Sequence, residues 1–207
     1  MKKIVTMLVM AVVFIASANA QPNNSDKKLW KTAQKKAKEL ASEGWQVDGS
    51  MPFENLLFKH YQKLMDEKNQ EIIGNVVGNT SVTTLNQGQQ WAATMAAVSY
   101  SKQAGQTVRG RLAAEVGAGL NGGPSADSFY EGYESYVEKE IKGELTRSFS
   151  IYRTKENGGI DYRCYYIVNE DEAHQARMRA MQQAMVESEF ARANAERISE
   201  FVRGGEF

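Results

Sequence analysis

Between Glu71 and Val116 the chain passes from a short apolar run into a long alanine-rich segment, and few folds accommodate that pairing. Ile72-Ile73-Gly74-Asn75-Val76-Val77-Gly78 reads as a strand. The segment after it carries large apolar residues at near-helical spacing: Trp91, Met95, Val98, Val108, Leu112 and Val116. Beside them runs a line of small residues, Ala93, Ala97, Ser101 and Ala104. A strand followed by a helix with one small-residue face predicts a helix lying closely on a sheet, with the rest of the chain completing and flanking that sheet.

The flanking segments follow in order. Ser25 caps a first helix reaching about Ser42 with Gly44 as its stop, and Leu29, Ala33, Ala37 and Leu40 form its apolar stripe. Lys27, Lys28, Lys31, Lys35, Lys36 and Lys38 crowd its other side, as a solvated face or a docking patch. Pro52 sits in the first turn of a second helix whose stripe runs Phe53, Leu56, Leu57, His60, Tyr61, Leu64 and Met65. The Gly117–Pro124 stretch is a linker, because it follows a helix and has no Gly-Lys-Ser/Thr. A helix over about Asp127 to Ile141 then places Phe129, Tyr133 and Tyr136 on one face.

Leu145 to Tyr152 alternates as a strand, with Leu145, Arg147, Phe149 and Ile151 expected on one side. Asn157-Gly158-Gly159 turns it into a return strand over Ile160 to Val168. A last helix, capped by Asn169 or Asp171, is predicted to run unbroken to about Val202. Its seam is Met178, Met181, Met185, Ala191, Ala195, Ile198 and Val202. The expected architecture is α+β: a small, mainly antiparallel sheet packed with the long Ala-rich helix and flanking helices. One domain is predicted over residues 21–207, with a helical pair at 21–70 and a sheet-and-helix core at 71–207.

Lys2 and Lys3, the apolar run Ile4 to Ile15 and the small-residue sequence Ala18-Asn19-Ala20 read as a signal peptide cleaved after Ala20. An uncleaved anchor is the alternative. A periplasmic or secreted location follows, and no cysteine stands at the cleavage point to carry a lipid. Of 25 basic and 25 acidic residues, the leader holds two basic ones, so the chain after it carries −2. So small a net charge implies neither nucleic-acid binding nor general attraction to membrane surfaces, and no later segment suits stable membrane insertion. Cys164 is the only cysteine, which excludes an internal disulfide.

No catalytic, cofactor or metal motif is assembled. Glu170-Asp171-Glu172 with His174 has the composition of a metal cluster, but acids at a helix N-terminus are explained by its positive dipole end. Cys164 shares a strand face with Tyr162 and Tyr166 and is expected to be buried and inert.

The Ile73-Gly74 to Val116 unit, followed by the Phe149 to Val168 hairpin, resembles the twenty-kilodalton outer-membrane lipoprotein family and its flagellar-envelope relatives. Those proteins place a Gly-containing strand before an Ala-rich helix and return with a strand pair joined by a Gly turn. The family's lipidated cysteine has no counterpart here. The leading Trp30 to Trp45 helix, with Ala37-Lys38-Glu39-Leu40 and Glu43-Gly44-Trp45, is similar to uncharacterised exported proteins of gut-type bacteria. The expectation is a non-enzymatic envelope protein, an interaction or structural module that pairs with another envelope protein or with itself. Val186, Phe190 and Phe201, off the main seam of the last helix, are its candidate contact surface. The alternative is a small-ligand binder or hydrolase using a pocket lined by Tyr162, Tyr165 and Tyr166.

Overall fold

A computed structural model describes residues 24–78, 82–116, 124–194 and 198. The predicted leader, the glycine-rich stretch 117–123 and Phe201 lie outside the described residues, as do Ala195 and Val202 of the predicted seam. The fold is α+β. Helix α1 (Asn24–Ser42) leads to the two-residue strand β1 (Gln46–Val47) and helix α2 (Phe53–Lys63). Strand β2 (Asn69–Val76) precedes the long helix α3 (Leu85–Val116) and helix α4 (Pro124–Ile141). Strands β3 (Thr146–Thr154) and β4 (Ile160–Asn169) form the hairpin, and α5 (Glu170–Glu187) and α6 (Glu189–Ala193) follow.

The strands form one antiparallel sheet in the order β1-β3-β4-β2. Each face of the sheet buries its own cluster. On one side α1 and α2 bury Ala33, Leu40, Trp45 and Leu57 against Phe149, Ile151 and Tyr165. On the other, α3, α4 and α5 enclose Ile72, Val76, Tyr162, Cys164, Tyr166 and Val168. Alternation along β4 drives this division, since successive side chains point to opposite faces.

Local chemistry explains the boundaries. Helix α1 stops at Gly44, whose φ of +84° is left-handed backbone, while the Trp45 N–H reaches back to the Leu40 carbonyl at 3.0 Å. Gly158 takes φ +78° in the hairpin loop, where the Asn157 side chain accepts from the Gly159 N–H at 3.0 Å. Asn169 caps α5 by accepting from the Asp171 N–H.

Three details depart from the sequence reading. Helix α3 meets the sheet through small residues as predicted, with Ala97, Ser101 and Ala104 buried, but not all of the large apolar residues set beside them turn inward. Its inward row steps by four through Gly88, Ala92, Ala96, Tyr100, Ala104, Val108 and Leu112, whereas Trp91 is 47 % exposed and Met95 and Val98 are half-buried. A helix pressed this closely onto strands has no room for bulky side chains beneath it. In β3, an irregularity between Arg147 and Phe149 reverses the alternation: Arg147 pairs with Tyr166, yet Phe149 pairs with the adjacent Tyr165. Leu145 therefore packs in the α3-side cluster, while Phe149 and Ile151 face α1 and α2. Finally, the last helix is interrupted at Ser188, whose backbone is extended (φ −96°, ψ 127°).

Candidate functional site

The break at Ser188 creates the groove that best qualifies as a site. Helix α5 ends at Glu187, and the Ser188 hydroxyl accepts from the Ala191 N–H at 3.3 Å to start α6. This turn places Phe190 over α4, its ring 5.7 Å from Phe129 at a 42° tilt. Between α4 and the α5–α6 corner lies a hollow of about 340 Å³. Phe129, Gly132, Tyr136 and Phe190 line it together with Glu187 and Glu189.

Ser128, Gly132 and Tyr136 step by four along α4, so they share one face of that helix. Open space lies over Gly132, where a Cβ meets nothing within 4 Å. The Tyr136 hydroxyl donates to the Glu187 carboxylate, which ties the two helices together and raises the phenol pKa above its ordinary value. Glu187 also borders a shallower hollow with Arg179, Gln182, Gln183 and Val186. Val186 stands beside it 74 % exposed. The groove thus has an aromatic floor, exposed carboxylates at Glu187 and Glu189, and an apolar neighbour at Val186.

Of the residues singled out for contact, the structure brings Phe190 into this groove and places Val186 in the neighbouring hollow that shares Glu187 with it. The tyrosines proposed for a ligand pocket do not converge. Tyr162 and Tyr166 are buried beneath α3, while Tyr165 points to the opposite face and stacks on Phe149 with centroids 4.3 Å apart. The Tyr162 hydroxyl donates to Asp48 at 2.6 Å, and burial first, then this bond, raises its pKa. Cys164 is buried and its thiol is pushed up to about 11, chiefly by desolvation. It donates to the Phe149 carbonyl at 3.6 Å.

Other polar clusters hold elements together. Arg177, 9 % exposed, donates to the Tyr100 hydroxyl and pairs with Glu170 at 2.5 Å, while Gln70 donates to the other Glu170 oxygen at 2.6 Å. This knot ties β2 and α3 to α5. Lys68 engages Asp171 at 2.6 Å, so two of the three acids at the start of α5 have cationic partners. Fully buried His60 meets Glu71 at 2.5 Å through Nε2, with Phe149 and Tyr165 edge-on to its ring. Neither cluster places a nucleophile against a base.

The sequence points to Tyr136 only as part of a helix face and to neither Gly132 nor Glu187, because the groove exists only once α4 packs on a broken α5. The four-residue step Ser128–Gly132–Tyr136, with a glycine in mid-helix, is the local sign that was available. Comparison of the chain with family models, curated proteins and solved structures finds no match to any of them.

Proposed function

We propose that the protein is a non-enzymatic interaction module of the cell envelope, exported by its N-terminal leader, and that the α4–α5–α6 groove is where it receives a partner. The observation that carries this reading is the conjunction of an open, aromatic-floored groove with exposed Val186 in the neighbouring hollow, the two sharing Glu187. The groove's carboxylates at Glu187 and Glu189 suit a segment that inserts an apolar side chain beside a Lys or Arg. The pattern-level resemblance to outer-membrane lipoproteins supports the envelope setting.

The test is photo-crosslinking in the native host, with a benzophenone amino acid at Val186 and, as control, at Met65, which is 61 % exposed on the far side of the sheet. The reading expects discrete higher-mass adducts from position 186 and none of the same mass from position 65. Their mass distinguishes another envelope protein from a second copy. A free monomer at both positions contradicts it.

A further inference from the structure

Helix α1 carries a second surface on the other side of the molecule. It holds six lysines and only two acids, Asp26 and Glu39. At about 100° per residue, Lys27, Lys28, Lys31, Lys35 and Lys38 all fall within an arc of roughly 100°. The centre of that arc lies opposite the buried Ala33, Ala37 and Leu40. All five lysines are exposed. Over the eleven steps from Lys27 to Lys38 the strip is about 16 Å long. Of the six lysines on α1, only Lys36, outside the arc, has an acidic partner, Glu39 at 2.5 Å.

No other described element concentrates lysine in this way. Elsewhere Arg109, Lys142, Arg153, Lys155, Arg177 and Arg179 each meet a carboxylate within 4 Å, and the lysines without an ion pair among the described residues, such as Lys59, Lys102 and Lys139, are scattered over different elements. On α1 the five lysines have no ion pair among the described residues. Instead, 27/31, 31/35, 28/31 and 35/38 stand one turn apart, a spacing at which like charges destabilise a helix. Four unfavourable pairs with no folding gain point to a use outside the fold. The chain's zero formal charge conceals this local concentration.

We propose that the α1 lysine strip docks the protein onto an anionic phospholipid bilayer, with the α4–α5–α6 groove facing away from it. The composition of the strip selects this partner. Every cation on it is a lysine, a point charge suited to a diffuse layer of headgroups, and none is an arginine able to grip one phosphate through two bonds. The five-lysine arc contains no aromatic residue to stack on bases: Trp30, the one aromatic of α1, packs edge-on against Phe58 of α2 at 5.3 Å. Nor does the arc offer an apolar wedge, and among the described residues no helix is long and apolar enough to cross a membrane. The docking is therefore peripheral and reversed by salt. It does not depend on the groove's having a partner.

The test is vesicle flotation of the protein as recovered from its host, alongside Lys31→Gln and Lys35→Gln singly and together. Vesicles contain about 30 % phosphatidylglycerol in phosphatidylcholine, or phosphatidylcholine alone, at about 50 and 500 mM salt. The proposal expects binding to the anionic vesicles at low salt, at least tenfold weaker at high salt and on neutral vesicles. Each removed lysine lowers binding about five-fold, since each near-surface cation contributes about one factor of that size. The variants relieve repulsion, so their melting temperatures stay level or rise, which separates lost docking from lost fold. Equal binding to both vesicles, double-variant binding equal to that of the parent, or duplex DNA bound as tightly as the anionic vesicles overturns it.

Discussion

Gly74 of β2 lies directly beneath Ala92 of α3, so close that a Cβ on the glycine comes 1.9 Å from the Ala92 carbonyl oxygen. The obstacle is helix backbone, which cannot rotate aside as a side chain can. Four residues earlier on α3, Gly88 sits over the Tyr162 ring, with its own Cβ position 2.6 Å from that ring. The helix is seated on the sheet at these two glycines. Gly74→Ala must lift α3 from the strands and open the α3-side core, a loss of about 3 kcal/mol or more. Urea unfolding measures it. A change below about 0.5 kcal/mol, as at an ordinary surface position, contradicts the close contact.

A buried carboxylate sets the acid limit of the hairpin end. Asp161 is 3 % exposed, pairs with Arg153 at 2.9 Å and Lys155 at 2.8 Å, and accepts from the Gly78 N–H at 2.9 Å. Burial alone raises its pKa, but the bonds from Lys155, Gly78 and Arg153 outweigh it and hold the carboxyl below its ordinary value of 3.8. A depressed folded pKa gives stability that is present above the unfolded value and lost as pH falls through the folded one. Thermal melts from about pH 6 down to pH 2 are expected to show this loss in the parent and a smaller acid dependence in Asp161→Asn. At neutral pH that variant is less stable by about 1–3 kcal/mol. An unchanged acid slope contradicts the assignment.

Cys164 reports on the intact sheet. With its thiol pushed up to about 11 and no exposed surface, it has little thiolate at pH 8 and no path for a reagent. Iodoacetamide at pH 8 is expected to leave the folded protein unlabelled and to modify it fully in denaturant, read by intact mass. Rapid labelling of the folded protein contradicts the burial.

What could be read from the sequence was what local chemistry determines. The Gly44 stop, the Asn157-Gly158-Gly159 turn and the strand–helix unit around Gly74 each depend on residues near in sequence, and the structure has all three. The reversal at Ser148 and the interruption at Ser188 were not legible. The apolar pattern continues across both positions, and only packing decides that β3 changes face and that α6 turns over α4. On α3 the small-residue face was legible, since Ala97, Ser101 and Ala104 are buried, whereas Trp91 fits the hydrophobic period and yet stands 47 % exposed. For the groove, Phe190 was visible as an apolar residue off the seam, whereas Gly132 and Glu187 acquire meaning only from the pairing of α4 with α5.

Gly132 provides the most direct test of the groove as the partner's seat. Nothing lies within 4 Å of its Cβ position, so the groove can be filled from within without disturbing the core. Gly132→Ala leaves the hollow open and stabilises α4 by up to about 1 kcal/mol. Gly132→Leu projects a branched side chain into it. The decisive measurement is the yield of position-186 adducts in living cells for these two variants, with melting temperatures confirming that both are folded. The account predicts adducts at parental yield from Gly132→Ala and their loss from Gly132→Leu. Equal yields from two folded variants contradict the groove as the site of interaction.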